Sequence, residues 1–453
     1  MKNAEFRSKF TSVITLTMKK KFRIIILLFI EFIIYIPFVF SIDTYQNNKH
    51  NQSVYQDEDT IHVVSISGKV IDKKTGDPIV FASVFITGTR IGTVTNSEGE
   101  FIIKIPRLYV NKQLGISHIG YISSIIDVNT LNPSDNNIEL IAAPYEIEEV
   151  TIRQLDPVAL IRAAVAKIPE NFSDQPVMMT SFYRETIRQN RNYVAIAEAV
   201  LDAYKASYKN TTDFDRVKVF KGRKSQDVKK MDTVLFKFQG GPYTSFLLDV
   251  AKNPGELLAE DAFKFYNYQM GGIVRVNDAQ AYVIDFDQKE AIDLPLYQGK
   301  LYLDVNNLAI VGIVFEISPK EIERASDYLI RKKPVGMSID VVDGNYLVNY
   351  RYIDGFWYLN YVRTELVFRV RWKKELFRSI YTTMSEMAVT DISSENIQKY
   401  KFRETTKITD IFVEKVTDFE DPDFWGDYNI IKPDESIEAA IERLSRKLKR
   451  RTE

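Results

Sequence analysis

The 453 residues contain no cysteine and only three histidines, His50, His62 and His118. The first absence excludes structural disulfides, a thiol nucleophile, Cys-ligated zinc and a lipid-modified N-terminus of the lipoprotein kind. The scarcity of histidine, with no H-E-x-x-H or comparable His/Glu pairing, removes the ligand set of a catalytic zinc. Neither a G-x-S-x-G elbow nor a G-x-x-x-x-G-K phosphate loop is present. No catalytic residue, no cofactor and no metal ligand is therefore assigned, and a non-enzymatic role is expected. Positive charge is not in excess: 60 Lys and Arg face 61 Asp and Glu, a net of −1. Residues 1–41 carry seven basic and two acidic side chains, so the remainder sits near −6 (−1 less that +5). Such a balance argues against broad nucleic-acid binding.

Aromatic and aliphatic residues are plentiful, with 25 Tyr, 28 Phe and 45% hydrophobic residues overall. That suffices for two domains with real cores. Residues 1–41 read as a signal peptide opening at Met18, the second of two starts. Lys19-Lys20-Lys21-Phe22-Arg23 is the basic part, Ile24 to Phe40 the apolar part, and Ser41 the cut. The alternative is a retained membrane anchor, for which the apolar run is short and burdened by Glu31 near its middle. Residues 42–60, rich in Asn, Gln, Asp and Ser, predict a flexible leader.

From 61 to 153 the chain predicts a β-sandwich. Ile61 to Ile71 and Ile79 to Thr87 are β-branched runs separated by the turn Thr75-Gly76-Asp77-Pro78, and Asn96-Ser97-Glu98-Gly99 is a second turn before the strand Glu100 to Ile105. His62 falls at a strand start and His118 in a strand beside Gly120, places of ordinary strand histidines. The string from Gly68 to Phe101, continuing through Leu114 to Tyr121 and Ile147 to Ile152, resembles the carboxypeptidase-like regulatory domain. That resemblance implies a transthyretin-like, seven-stranded sandwich, an accessory module that does not bring peptidase chemistry with it. The same module stands at the front of TonB-dependent outer-membrane receptors of the Bacteroidetes type, whose plug and barrel need more residues than follow here.

Residues 154–430 predict an α+β domain. Asp156 is an N-cap, Pro157 the first helical position, and Leu160, Ile161, Ala164, Val165 and Ile168 an apolar stripe stopped by Pro169. Strands follow: Met178 to Arg188, a turn at Asn190-Arg191-Asn192, and Tyr193 to Tyr204. Tyr297 to Glu316 reads as a hairpin turning at Asp304 to Asn307. Gly344-Asn345 and Asp354-Gly355 read as further turns. In Tyr361 to Trp372 the residues Val362, Thr364, Leu366, Phe368, Val370 and Trp372 point one way, and Arg363, Glu365, Arg369 and Arg371 the other. Ser181 to Glu185 followed by Ala197 to Leu201 is similar to Bacteroidetes-type proteins that carry the same front module. Residues 180 to 390 resemble, by pattern, the curved half-barrel of periplasmic lipoprotein-sorting carriers, which implies an open sheet around a helix. The fold class is thus mainly β, a sandwich followed by a curved antiparallel sheet with packed helices. An integral outer-membrane barrel is not expected, since the apolar faces are interrupted and the strands too few.

Gly240-Gly241-Pro242-Tyr243 reads as a strand break, and Asp285, Asp287 and Asp304 as carboxylates of solvated turns. Asp421, Asp423 and Asp427 lack the Gly and terminal Glu of an EF-hand loop and read as turn and cap residues. Phe424, Trp425 and Tyr428 are expected to pin the tail by aromatic burial. Residues 431–453 predict an amphipathic helix with Ile437, Ala440, Ile441, Leu444 and Leu448 on one face and a basic end. Its alternative role is contact with anionic lipid. The function expected is binding or assembly, exported to the periplasmic side of the outer membrane. The alternative is a periplasmic carrier holding an acyl chain in the concave sheet. The partner is an envelope protein that no residue pattern identifies, with lipid or the outer-membrane surface as the other contact, and no nucleic acid.

Overall fold

Period-two alternation between residues 63 and 142 builds two stacked sheets. The computed structural model describes residues 63–143, 155–226, 240–276, 279–330, 335–373, 378–418 and 424–452. The expected signal peptide, the leader, His50, His62, the string Ile147 to Ile152, Asp421 and Asp423 lie outside the described residues. Strands β1 (Val63–Asp72), β4 (Glu100–Pro106), β8 (Asn136–Ala142) and the two-residue β6 (Tyr121–Ile122) form one sheet in the order β4-β1-β8-β6. The other is β3-β2-β5-β7, from β2 (Ser83–Ile86), β3 (Gly92–Val94), β5 (Gln113–Ser117) and β7 (Ser124–Asp127). Seven strands have three residues or more, as the resemblance implies. Val70, Val84, Ile86, Phe101, Ile103 and Ile116 are fully buried between the sheets.

The turn before β4 is fixed by chemistry visible in sequence. The Asn96 side chain accepts from the Glu98 and Glu100 N–H groups at 2.9 and 2.8 Å. Gly99 adopts φ +74, and a Cβ there would meet the Val70 carbonyl at 2.7 Å. The expected strand from Ile79 to Thr87 shrinks to β2, because the Thr95 hydroxyl accepts from the Ala82 N–H and donates to the Ile79 carbonyl, replacing ladder bonds. His118 is likewise outside a strand: β5 ends at Ser117, and Gly120 at φ +86 turns the chain.

Among the described residues the second part is an open, curved sheet of eleven strands. Its strands are β9 (Val177–Gln189), β10 (Asn192–Lys205), β11 (Arg216–Gln226), β12 (Tyr266–Val276), β13 (Ala279–Gln288), β14 (Tyr297–Asp304), β15 (Ile310–Ile317), β16 (Met337–Ile353), β17 (Phe356–Trp372), β18 (Ser379–Ser393) and β19 (Thr417–Asp418). The order is β12-β13-β14-β15-β16-β17-β18-β9-β10-β11-β19, antiparallel except for the short β11-β19 pairing. Register shifts in β10, β12, β16 and β18 bend it.

Its inner face is covered by α1 (Pro157–Ala166), α2 (Ile168–Asn171), α3 (Gly241–Leu247) and α4 (Ala325–Leu329). Asp156 caps α1 by accepting from the Val158 N–H at 2.9 Å. Pro169 does not end the helical region; it stands in the first turn of α2. Ile161, Phe172, Phe246, Leu258 and Phe412 pack with Val362, Leu366, Phe368 and Val370, so the face that β17 presents inward is filled. Phe368 is 0% exposed.

Three local readings are corrected. Gly344-Asn345 is not a turn but lies inside β16; a Cβ at Gly344 would come within 2.6 Å of Ile317 and 2.8 Å of Leu366, so glycine serves close packing there. Gly240-Gly241, read as a strand break, leads into a helix: with φ +87 and +43 it starts α3, Pro242 following in the first turn. Asp285 and Asp287 lie within β13, paired with Lys300 at 2.6 Å and Lys320 at 2.8 Å, whereas Asp304 does hold its turn through the Asn306 and Asn307 N–H groups. The C-terminal helix α5 (Glu435–Thr452) packs Ile437, Ala440 and Leu444 on Ile196, on the opposite face of the sheet from α1. Leu448 and the basic residues at 447 and 449–451 lie outside the described side chains, whereas the Arg443 guanidinium donates to the Tyr193 carbonyl at 2.9 Å. No helix among the described residues is long and apolar enough to cross a membrane.

Candidate functional site

The sandwich sits on the outer face of the large sheet. The Arg351 guanidinium donates to the Arg90 carbonyl at 2.8 Å and the Ile91 carbonyl at 3.2 Å. Burial pushes its pKa down to about 10, although the Asp391 charge works the other way. Asn360 donates to Ser83 at 2.9 Å, and the Gly120 N–H donates to the Arg275 carbonyl at 2.8 Å. These anchors leave a cleft with two lobes that share Arg363 and Glu365.

One lobe, of about 480 Å³, is mostly apolar. Val80, Phe81 and Ile119 come from sandwich loops, and Val274, Val314 and Leu347 from strands of the large sheet. Phe81 has φ +58, unfavourable for a bulky side chain by about 1–2 kcal/mol. Its ring stacks on Tyr361 at 5.5 Å and lies 4.8 Å from the Arg363 guanidinium, contacts that hold it there. His118 lines the same lobe; burial lowers its pKa, and Nδ1 lies 2.8 Å from the Ile119 carbonyl.

The second lobe, of about 340 Å³, is polar and is closed by the N-terminus of α5. At its floor Arg184 is 1% exposed and donates to Glu198 at 2.8 Å, Glu386 at 2.9 Å and the Ile431 carbonyl at 2.9 Å. Burial works to lower the Arg184 pKa, but the two carboxylates outweigh it and the net direction is up. Glu386 also accepts from the Tyr361 hydroxyl at 3.0 Å, and Glu198 from Arg223 at 3.1 Å. Trp425, packed edge-on against Phe182, and Ile431 seal this network beneath the tail, so the aromatic pin expected of Phe424, Trp425 and Tyr428 is present.

Arg188 and Thr186 stand beside it on β9. Apart from the cleft, a buried ionic group joins Lys205 to Asp215 and Asp249, each at 2.7 Å, with the Tyr208 and Tyr350 hydroxyls donating to Asp249. It ties the segment after α3 to the ends of β10 and β16, a structural clamp whose members satisfy one another.

No group of three or more His, Cys, Asp or Glu side chains that could hold a metal occurs among the described residues. What the cleft offers is recognition: an apolar wall, amides, hydroxyls and guanidinium groups. Sequence reading assigned no site residue; His118, the histidine among the described residues, lines the cleft. Arg184, Arg188, Asn349 and Glu386 were missed. The strings Ser181 to Glu185 and Ala197 to Leu201 contain two of the ion partners, and the charge of Arg184 and Glu198 inside apolar runs was the available signal.

Among curated proteins none matches the chain. Of solved structures, a DUF1329 family protein from Desulfovibrio piger aligns at 12% identity with a TM-score of 0.25, covering 55% of this chain and 98% of that one, a score at which no common fold is argued. Residues 66–152, which supply the sandwich side of the cleft, match the family model of the CarboxypepD_reg-like domain, in agreement with the turns between Gly68 and Phe101.

Proposed function

We propose that this is a non-enzymatic, exported protein of the cell envelope that binds a partner in the cleft between its sandwich and its large sheet, at the periplasmic side of the outer membrane. One observation carries this reading over the lipid-carrier alternative. The inner face that β17 presents is filled by the chain's own side chains, Phe368 and Leu366 being 0% exposed, while an open lobe with an apolar wall lies on the outer face against the regulatory-like sandwich; a polar hollow of about 530 Å³ beside Tyr204, Lys209 and Asp213 has no such wall. A ligand pocket of several hundred Å³ with an apolar wall and a few convergent polar groups is what recognition needs.

A peripheral membrane contact is supported by the β11 edge. There Lys218 lies over Tyr400 and Lys221 over Phe424, with Phe220 and Phe402 more than half exposed. Cations and aromatic rings together suit an anionic headgroup layer. The test is native mass spectrometry of protein purified from its own envelope, with a parallel titration of fluorescent fatty acid. The expected result is no stoichiometric lipid and no saturable fatty-acid binding. A lipid bound one to one would move the function to the carrier reading.

A further inference from the structure

The charged groups of the polar lobe are compensated within the protein, with one exception. Arg184 has Glu198 and Glu386, Arg363 has Glu365 at 2.7 Å, and Glu98 accepts from the Glu435 N–H. Asp434 accepts from Ser97, Ser436 and the Ile437 N–H. Arg188 has no carboxylate partner among the described residues; its guanidinium meets the Tyr193 ring at 6.0 Å, and its Nε is shut off from solvent with no acceptor. Thr382 is its register neighbour, so a hydroxyl donor flanks the cation. A half-buried cation without a counter-charge is a place for an anion.

The apolar lobe has an orphan of the other kind. Asn349, on the outer face of β16, has its Oδ1 buried without a donor. An acyl chain with an acidic head could serve Arg188 and the apolar wall but brings no N–H to Asn349. A peptide brings all three. The spacing is also informative. Asn349 is level with Tyr361, and Arg188 with Thr382 and so with Val367. Six residues along a strand and three strand spacings across give an offset of roughly 24 Å, the reach of about seven extended residues.

We propose that the cleft holds an extended peptide segment of another protein, its carboxylate on Arg188, an apolar side chain against Phe81 and Val314, and a backbone N–H on Asn349. This rests on the cleft-binding reading above and names the ligand class. The carboxylate can be a chain terminus or an acidic side chain, and the experiment separates them.

The full chain is mixed with synthetic octapeptide pools and bound species are counted by native mass spectrometry. One pool lacks Asp and Glu and has free C-termini, a second is the same but amidated, and a third is amidated with one Asp; palmitate is run alongside. The expected result is at least about tenfold tighter binding of an anionic pool than of the uncharged one. Preference for the first pool assigns a chain terminus, and preference for the third a side chain. Arg188→Gln should erase the preference without lowering the melting temperature, because Arg188 makes no ion pair among the described residues. Asn349→Ala should weaken every pool by about fivefold. Equal binding of all pools, abolished by Val314→Asp, would overturn this inference and leave the cleft reading standing. Binding by no pool, or by palmitate alone, would overturn both.

Discussion

Replacing Glu185 by Gln should stabilise the protein at neutral pH and leave it nearly unchanged in acid. The side chain is 5% exposed on the inner face of β9. The Tyr183 hydroxyl donates to it at 3.0 Å, and the Val413 N–H donates as well. Burial raises its pKa from 4.5 to about 8, and those two hydrogen bonds offset only part of the rise. The sign follows from linkage. Below pH 4.5 the carboxyl is protonated in both folded and unfolded chains and costs nothing. Between pH 4.5 and 8 the unfolded chain releases the proton while the folded one keeps it, so stability falls by about 1.4 kcal/mol per pH unit. The loss is roughly 3 kcal/mol at pH 7 and about 5 kcal/mol once pH 8 is passed. Glutamine keeps an acceptor for Tyr183 and cannot ionise. Urea unfolding of both proteins at pH 4, 5, 6, 7 and 8, followed by tryptophan fluorescence, should show the variant's advantage widening from pH 5 upward and levelling near pH 8. A difference that does not change with pH, or a parent protein more stable than the variant at pH 8, would refute the reasoning.

Phe368→Ala should cost about 3–5 kcal/mol in the same unfolding assay, because the residue has no exposed surface, whereas Arg369→Ala on the outer face should change stability by less than about 0.5 kcal/mol. Arg184→Leu leaves Glu198 and Glu386 buried without their shared cation; a loss of about 3–5 kcal/mol is expected, with faster proteolysis of the tail beyond Phe424, and an unchanged digestion pattern would count against the pin. N-terminal sequencing of protein recovered from cells should begin near Ile42, and recovery of Met1 or Met18 in the membrane fraction would mean a retained anchor.

The alternation in β17 was legible because side-chain direction in a strand has a period of two whatever the strand packs against. The Asp354-Gly355 turn and the Asn96 turn were legible because their hydrogen bonds close within a few residues. Gly344-Asn345 has the same local chemistry and was misread, since the reason for glycine there is the approach of Ile317 and Leu366 from other strands. The stripe in α5 announced a helix, but a stripe does not say which face of a sheet it will cover. The cleft was invisible for the same reason on a larger scale. Arg184 meets Glu198 fourteen residues away and Glu386 two hundred and two residues away, and the apolar lobe joins Phe81 and Ile119 to Val314 and Leu347. No local pattern marks residues whose common property is the space between them.

A photoreactive phenylalanine analogue placed at Val314, in the apolar lobe, and irradiated in living cells tests the location of binding most directly. Val314 is 43% exposed, so the substitution need not disturb a core. The expected result is a light-dependent adduct that contains peptide, is weakened by Arg188→Gln, and does not form when the analogue stands at Leu108, an exposed residue of the sandwich outside the cleft lining. No adduct from position 314, or adducts of equal yield from both positions, would contradict a binding site between the sandwich and the sheet.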